Sequence, residues 1–450
     1  MTPTRYILML LLATSLFQSC ACSGGSCRHR ADEPSESPAD TTGKFPEISD
    51  DSLLTLVQQR TFRYFWDYAH PVSGLARERL GSGDIVTSGG SGFGIMAIPV
   101  AIERGFITRE EGAARLLKIL TFLNTKADRF HGAFSHWLDG STGKAIPFST
   151  FDDGGDVVET ALLLQGLLAV RQYFKSSDPV EVSIRELVEQ IWMTVEWDWY
   201  TRGENVLYWH WSPDFGWEMD MQVNGWNEAL IAYVLAASSP THPISKEVYD
   251  EGWARRGEMA NGRKFYGIRL PLGPDYGGPL FFAQYSFLGL DPRALSDKYA
   301  DYWKQNVNHT LINYRYCVRN PMGWIGYGED VWGLTASDIP GGYAASSPAD
   351  DHGVIAPTAA LSSMPYTPQQ SMDALRYYYY ILGDRLFGEY GFCDAFSLEQ
   401  EWFAPSYLAI DQGPIIIMIE NYRTGLLWDL FMKNVCVLDG LDKLGFDYVK

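Results

Sequence analysis

An acidic loop that leads directly into an apolar helix constrains this chain more than any other stretch. Residues 151–160 contain four carboxylates and two adjacent glycines, and residues 161–168 (Ala-Leu-Leu-Leu-Gln-Gly-Leu-Leu) are almost entirely apolar. The glycines predict a loop, and the apolar run predicts a buried helix. We therefore expect the acidic groups to lie at the mouth of a helix that points into the core.

Two of these carboxylates, Asp156 and Glu159, are three residues apart and share one face of a helix. They fit a capping box equally well, in which Asp156 caps the helix and Glu159 reaches back to it. Asp152 and Asp153 fit solvated loop positions as well as a functional site. The pattern leaves a structural role and a chemical role open for all four.

The composition limits the kinds of molecule that this protein can bind. The chain has 450 residues, 46% of them hydrophobic, which predicts a large globular core. A net charge of −19 argues against nucleic acid and against an anionic membrane surface, and it favours a neutral substrate. Aromatic residues, at 14%, offer flat faces for sugar rings, although a large helical core uses them too.

The cysteines do not indicate a zinc ribbon or a redox motif, because no CxxC pair occurs. Three cluster near the N-terminus and three are scattered through the body. We expect the latter to be mostly buried free thiols. The six are Cys20, Cys22, Cys27, Cys317, Cys393 and Cys436.

The N-terminal segment predicts export. Residues 1–19 combine Arg5 with an apolar run and read as a secretory signal peptide, too short for a comfortable membrane span. Cys20 follows directly, and residues 16–20 (Leu-Phe-Gln-Ser-Cys) resemble a lipoprotein box in which the cysteine is lipidated. Residues 20–49 are rich in Ser, Gly, Pro and acidic residues and predict a disordered tether.

From residue 50 to residue 450 the chain predicts one all-α domain. Helical patterns recur without βαβ alternation or a strict repeat. Short alternating pieces at 134–138 and 265–270 predict hairpin strands in loops. The predicted helices are 50–69, 92–104, 108–125, 157–174, 181–197, 225–237, 245–258, 297–313, 370–382 and 414–433.

Three further acidic residues lie in or beside predicted helices. Glu228 lies at a helix start after the aromatic loop 208–211, and its structural alternative is a favourable charge in the first turn. Asp411 precedes Pro414, which we expect to begin a helix, and Asp411 could be a simple cap. Glu420 could be a buried partner of Arg423.

Repeated carboxylates at helix mouths beside Trp or Tyr favour glycoside hydrolysis. That reaction needs one protonated and one ionised carboxyl group, and an apolar aromatic setting raises the pKa of the acid. The motifs HExxH, GxSxG and GxxxxGK[ST] do not occur. The eight histidines are dispersed, so we predict neither a metal site nor an organic cofactor, and we expect His131 and His136 to hydrogen-bond within loops.

Residues 50–450 resemble the glycoamylase-like family of secreted bacterial proteins. The segments that carry the resemblance are 62–67 (Phe-Arg-Tyr-Phe-Trp-Asp), 156–161 (Asp-Val-Val-Glu-Thr-Ala), 225–229 (Gly-Trp-Asn-Glu-Ala), 277–281 (Gly-Gly-Pro-Leu-Phe), 410–414 (Ile-Asp-Gln-Gly-Pro) and 418–423 (Met-Ile-Glu-Asn-Tyr-Arg). The resemblance implies an (α/α)6 toroid with its site in the central cleft. It also implies an inverting endo-β-1,2-glucanase that releases short sophorooligosaccharides from a neutral glucan.

The resemblance assigns the general acid to Glu228 and supporting acidic roles to Asp156 and Glu159. We choose Asp411 for the base side, where it activates water either directly or through a chain of waters. Candidate substrate-binding residues are Asp152, Trp137, Trp209, His210, Trp211, Trp332 and Glu420. We expect a monomer that contacts the membrane only through a lipid on Cys20, in the periplasm or on the outer membrane. The alternatives are an exo-acting glucosidase on another linkage, a polysaccharide lyase and a non-catalytic glycan-binding lipoprotein.

Overall fold

Four long helices of the chain are apolar on every side, which forces them into the interior. The computed structural model describes residues 45–448. Within it, Val157–Tyr173 and Ala409–Arg423 are buried over almost their whole length, as are Ser88–Glu103 and Leu230–Ser238. These helices form the wall of a central ring, and more amphipathic helices pack outside them.

Thirteen α-helices occur among residues 45–448, joined by 3-10 turns at 199–201, 255–257, 275–277, 280–283 and 285–288 and by one π-helical segment, Val248–Trp253. The α-helices are α1 Asp50–Trp66, α2 Ser88–Glu103, α3 Arg109–Thr125, α4 Val157–Tyr173, α5 Pro179–Trp192, α6 Leu230–Ser238, α7 Tyr302–Arg319, α8 Pro357–Leu361, α9 Pro368–Tyr380, α10 Gly383–Leu386, α11 Ala409–Arg423, α12 Leu426–Phe431 and α13 Val435–Leu444.

The strands are short, and every pairing between them is antiparallel. One sheet has three strands, in the order β1-β4-β5, and the others have two. The strands are β1 Ile85–Thr87, β2 Arg129–Phe130, β3 Ala133–Phe134, β4 Trp137–Asp139, β5 Ala145–Ile146, β6 Gly155–Asp156, β7 Leu207–Tyr208, β8 His210–Trp211, β9 Gln222–Val223, β10 Lys264–Phe265, β11 Ile268–Arg269, β12 Ala336–Ile339, β13 Gly342–Ala345, β14 Phe387–Gly388, β15 Gly391–Phe392, β16 Phe396–Ser397 and β17 Trp402–Phe403.

The helices form two concentric layers. The inner layer contains α2, α4, α6, the 3-10 turns at 280–288, α8 and α11, and it closes where α11 packs on α2. The outer layer contains α1, α3, α5, the π-helical segment, α7 and α9, and outer and inner elements alternate along the chain. This is the predicted (α/α)6 toroid, with α12 and α13 packed against α4 and α6.

Several predicted helix boundaries are wrong. Pro414 does not begin a helix, because α11 starts at Ala409 and Pro414 lies inside it. The predicted helix 414–433 is two helices, separated at Gly425, which adopts a left-handed φ of 76°. The predicted helix 245–258 is a π-helical segment followed by a 3-10 turn, and α8 and α13 were not predicted.

The predicted signal peptide, Cys20 and residues 21–44 of the tether lie outside the described residues. No helix among those described has both the length and the apolar character needed to cross a bilayer. The three body cysteines are free thiols, as predicted, although only Cys317 is fully buried.

Candidate active site

The N-terminal ends of the inner helices meet at one end of the toroid, and loops from four segments converge there. The β6–β8 pairing places Asp156 opposite His210. The β1–β4 pairing places Thr87 opposite Trp137, next to His136. These pairings between distant segments therefore carry polar side chains over the mouth of α4.

Asp156 caps α4 and is completely buried. Its Oδ1 atom accepts hydrogen bonds from the backbone N–H groups of Val158 and Glu159, each at 2.9 Å. Its Oδ2 atom accepts a bond from the indole N–H of Trp209 at 3.2 Å. The predicted cap is confirmed, but the capping box is not, because the Glu159 side chain points elsewhere.

Two histidines neutralise this acidic cluster. His136 Nδ1 lies 3.3 Å from Asp156 Oδ2, and its Nε2 lies 3.9 Å from Glu159 Oε1. His210 Nε2 lies 3.1 Å from Asp152 Oδ2 and 3.4 Å from Asp156 Oδ2. Despite their burial, the surrounding carboxylates raise the pKa of His136 to about 10 and that of His210 to about 9. Both imidazoles are therefore cationic at neutral pH, and they hold the pKa of Asp156 well below its usual range against the effect of its burial.

Glu159 links α4 to α2. Its Oε2 atom accepts a hydrogen bond from the backbone N–H of Gly89 at 2.8 Å, at the start of α2. A Cβ atom on Gly89 would lie 2.4 Å from the same carboxylate oxygen, so only glycine permits this contact. Burial raises the pKa of Glu159, and His136 opposes that effect.

Glu228 lies just before α6, since that helix begins at Leu230 rather than at 225. The Ser286 hydroxyl donates a hydrogen bond to its backbone carbonyl and accepts one from Ile231 N at 3.0 Å, which anchors this segment to the next inner element. Burial raises the pKa of Glu228 to about 7, with further contributions from the negative charges of Glu159 and Asp156. Glu228 is thus protonated in the range where a general acid works.

Asp411 lies on the first turn of α11 and is 3% exposed. Burial raises its pKa well above the usual value, and the charge of the neighbouring Asp394 raises it further. Burial raises the pKa of the Tyr285 phenol, and the negative charges of Asp411 and Glu228 raise it further. Both carboxyl groups therefore lie within electrostatic range of Tyr285.

The aromatic candidates divide into two groups. Trp137 and Trp209 are half-buried and lie beside His136 and the Asp156 carboxylate, respectively. Trp211 is half-buried as well, but it packs edge-on against Trp199. Stacking on sugar rings remains a prediction for all three, and Trp137 and Trp209 are the better placed.

The structure does not bring Trp332 or Glu420 into this site. Trp332 is fully buried in a second core cluster and packs edge-on against Tyr314, so it has no face to offer a sugar. Glu420 lies near the C-terminal end of α11 and pairs through both oxygens with Arg104 at the end of α2, at 2.8 Å each. Both side chains are structural, and the partner suggested for Glu420, Arg423, bonds Asp51 and Gln58 instead.

Sequence reasoning missed several residues of the site. His136 was expected to hydrogen-bond within a loop, and Asp394 and Tyr285 were not singled out. A signal for His136 was its place beside Trp137 in a predicted hairpin. Asp394 and Tyr285 carry no local signal, since only the closed ring brings them to α11.

One group in the site has the residue types of a metal site. Ligand atoms of His136, Asp152 and Asp156 lie within 4.8 Å of one another. The same atoms also pair with one another, since His136 Nδ1 lies 3.3 Å from Asp156 Oδ2 and 3.9 Å from Asp152 Oδ2.

Comparison with known proteins supports the fold. A family model described as "Putative glucoamylase" matches residues 220–435. A "putative glucoamylase" structure from Bacteroides uniformis is 59% identical, with a TM-score of 0.88, over 89% of this chain and 98% of that one. An endo-β-1,2-glucanase from Chitinophaga pinensis, in complex with sophorotriose and glucose, is 54% identical, with a TM-score of 0.87, over 89% of this chain and 99% of that one.

A curated relative extends the comparison. An exo β-1,2-glucooligosaccharide sophorohydrolase from Parabacteroides distasonis is 50% identical over 420 residues, or 88% of this chain, and this chain spans 58% of that relative's length. Fold and site together define an (α/α)6 toroid with a carboxylate cluster at the mouths of its inner helices. The chain belongs to the glycoamylase-like family.

Proposed function

We propose that this protein is a glycoside hydrolase of β-1,2-glucans, and more specifically an inverting endo-β-1,2-glucanase that releases short sophorooligosaccharides. The names of two relatives at 50% identity or more support β-1,2-linked glucose as the substrate. The observation that carries the proposal is Glu228, an acid whose pKa is raised to about 7 near an ionised, histidine-balanced cluster, and which acts together with Asp411 on the pKa of Tyr285.

Glu228 would act as the general acid. It would donate its proton to the glycosidic oxygen as the bond to the anomeric carbon breaks. Burial keeps that proton on Glu228 up to about neutral pH, and the charges of Glu159 and Asp156 add to the effect because they disfavour a third anion nearby. A general acid of matched pKa contributes about 10²- to 10⁴-fold to rate.

The opposite side of the cleft would activate water. In an inverting glycosidase a second carboxyl group removes a proton from water that attacks the anomeric carbon from the other face. Asp411 is the residue we assign to that side. Asp152, Asp156 and the two histidines would hydrogen-bond sugar hydroxyls, and Trp137 and Trp209 would stack on ring faces.

Product analysis tests the proposal. Residues 45–450 would be incubated with linear β-1,2-glucan, sophorooligosaccharides, starch, laminarin and cellulose oligomers, and the products followed by chromatography over time. An endo enzyme gives a ladder of short oligomers from the first time points, whereas an exo enzyme gives one product throughout. The anomeric configuration of the first product, measured by NMR, tests inversion.

Matched variants separate acid catalysis from folding. Glu228→Gln keeps the shape of the side chain but has no proton to give, so cleavage should fall by at least 10²-fold. Glu110→Gln, at an exposed position on outer helix α3, should cleave like the wild type. Binding of glucan without cleavage by the wild type would favour the glycan-binding alternative, and an unsaturated product would identify a lyase.

We also propose, from the sequence alone, that the chain is exported and anchored through Cys20. Metabolic labelling with a radioactive fatty acid should mark the full chain, and Cys20→Ser should abolish the label. The same substitution should leave hydrolysis by the purified protein unchanged. An unlabelled wild-type chain would contradict the anchor without affecting the proposed activity.

A further inference from the structure

Two buried aspartates of the site each have a side-chain oxygen that no donor group satisfies. Asp394 is 2% exposed and Asp411 is 3% exposed. Oδ1 of Asp394 and Oδ2 of Asp411 receive no hydrogen bond from any donor group of residues 45–448. The two carboxyl groups are neighbours, since each shifts the pKa of the other. Two carboxylates have no proton to donate, whereas one proton held between them would satisfy both oxygens.

The surroundings of the two aspartates are unequal. Asp394 Oδ2 accepts a hydrogen bond from the backbone N–H of Asp338 at 2.7 Å, and the cation of Arg79 lowers its pKa. No N–H or O–H group of the described residues donates to the Asp411 side chain. Hydrogen bonds to the ionised form favour it, so above the Asp394 pKa of about 7 the shared proton rests on Asp411 while Asp394 is the anion.

The other charged and titratable groups around the pair fit this distribution. Asp338 adds a negative charge, but its own carboxylate is held by Arg79 at 2.9 Å and by the Ser406 hydroxyl. Tyr343 and Tyr285 face Asp411 as neutral phenols, since burial and nearby acids raise their pKa values well above the usual range. Burial and the charge of Asp338 raise the pKa of Asp394 to about 7.

A protonated Asp411 cannot by itself remove a proton from water. We propose, resting on the proposed hydrolase function, that the base is the Asp394–Asp411 pair, in which Asp394 accepts the proton that Asp411 releases when Asp411 takes one from the attacking water. Asp394 is therefore a positioning and proton-accepting residue that acts through Asp411 without touching the substrate.

The bonds and protons of this proposed step balance. The bond from water oxygen to the anomeric carbon forms while the bond to the leaving glycosidic oxygen breaks, and Glu228 gives its proton to that leaving oxygen. One proton of the water passes to Asp411, and the proton of Asp411 passes to Asp394. The pair goes from one proton to two, Glu228 goes from one to none, and exchange with solvent restores both.

Asp394→Asn tests the relay, because the amide keeps the size and one hydrogen bond but cannot accept a proton. We expect kcat on β-1,2-glucan to fall by about 10²-fold or more, with KM changed by less than a few fold. Asp394→Glu, which restores a carboxyl group, should recover part of the loss. Thermal unfolding and circular dichroism of each variant check that the fold is retained. An Asp394→Asn protein with an unchanged kcat and an unchanged acidic limb of its pH profile would overturn the proposal.

Infrared spectroscopy detects the shared proton without any turnover. In a Glu228→Gln background, a buried carboxylic-acid C=O stretch should be present at pH 8, above the Asp394 pKa of about 7, and should disappear in both Asp394→Asn and Asp411→Asn. Asp338→Asn is the matched control. It should keep the band, and the band should titrate at lower pH because a charge that raises both pKa values is gone. A band that survives in Asp394→Asn would show that Asp411 holds its proton alone, which contradicts the pair.

The two proposals fail differently. If the wild type cleaves β-1,2-glucan while Asp394→Asn keeps its rate and pH profile, the relay is wrong and the hydrolase function stands. If the wild type cleaves no glucan, the hydrolase function fails and the catalytic relay fails with it, whether or not the infrared band is present.

Discussion

At the scale of single residues, the site is a set of buried acids kept in different charge states by their immediate partners. Asp156 is held ionised by two cationic histidines, whereas Glu228 is held protonated by burial and by the charges of its neighbours. Carboxyl groups in the same site thus take opposite roles, as acid catalysis on sugars requires.

Removing one neighbouring charge should move the pH profile in a defined direction. The negative charge of Glu159 helps raise the pKa of Glu228, so Glu159→Gln should lower that pKa. The fraction of protonated acid then declines earlier as pH rises, and the basic limb of kcat/KM should shift to lower pH by a few tenths of a unit to about one unit. The measurement is the pH dependence of β-1,2-glucan cleavage, with exposed Glu110→Gln as control. A limb that moves to higher pH would contradict this assignment.

Some residues of the site could be identified from the sequence, and others could not. Asp156, Glu159, Glu228 and Asp411 were identified because each lies at a helix mouth, and the structure brings all four together. Asp394 was not identified because nothing in its local pattern distinguishes it from a loop residue, and the only local signal for His136 was its place beside Trp137. Their importance depends on pairings between distant segments, which a single sequence does not display.

At the scale of helices, two glycines fix how closely α2 and α4 pack. A Cβ atom on Gly92 would lie 2.3 Å from the backbone oxygen of Leu162, and one on Gly166 would lie 2.2 Å from the backbone oxygen of Gly92. Both obstacles are backbone atoms that cannot rotate away. This contact sets the spacing of the helices that carry Gly89 and Glu159, so packing and site geometry are coupled.

Gly92→Ala should therefore force α2 and α4 apart. We expect a loss of about 1–3 kcal/mol in the free energy of unfolding, the usual range for overpacking, together with reduced activity at temperatures where the protein remains folded. Gly342→Ala is the matched control, because a Cβ atom there meets nothing within 4 Å and its φ is not positive. Equal unfolding midpoints in urea for the two variants would show that the close approach of α2 and α4 does not require glycine at position 92.

The far end of the same helices carries a second testable contact. Glu420 is 1% exposed in its side chain and pairs with Arg104, whose side chain is 21% exposed. Glu420→Ala leaves a largely buried guanidinium without its partner and should cost about 3–5 kcal/mol of stability. Activity of the folded protein at low temperature should not change, since the site lies at the other end of α11. Asp373→Ala, which breaks a more exposed pair with Arg376, should cost about 1 kcal/mol or less.

Helix boundaries show why element prediction was only partly right. The predicted helix 92–104 begins four residues earlier, because its glycine-rich start resembles a loop but packs tightly inside the ring. Pro414 suggested a helix start, yet α11 accommodates it beyond the first turn. In both cases tertiary packing overrode a local signal that is reliable only for isolated segments.

At the scale of the whole molecule, the groups that make the site also make stability depend on pH. The pKa values of Glu228 and Asp394 are raised to about 7, and those of His210 and His136 to about 9 and 10. In each case the folded protein binds a proton more tightly than the unfolded chain does. Such contributions are present at low pH and are lost as pH rises through the folded pKa.

The free energy of unfolding should accordingly fall between about pH 5 and pH 9. The carboxyl groups contribute to the fall between the unfolded pKa near 4 and about 7, and the histidines between about 6.5 and about 10, each with a slope of up to about 1.4 kcal/mol per pH unit. Arg109 lowers the pKa of Glu181 to about 2. The stability that Glu181 contributes is therefore lost as pH falls, and only at more acidic pH. Urea denaturation of the wild type at a series of pH values measures the fall.

The Glu228→Gln variant measures how much of this pH dependence of stability comes from Glu228. Wild type and variant should have similar stability near about pH 3.5, where Glu228 is mostly protonated in both the folded and the unfolded chain. Above that pH the wild type must either keep a buried proton or bury a charge, so the variant should become the more stable protein, by about 1 kcal/mol or more at pH 8. An identical pH dependence for the two proteins would mean that the pKa of Glu228 is not raised, and the same result would remove the physical basis for its role as the acid.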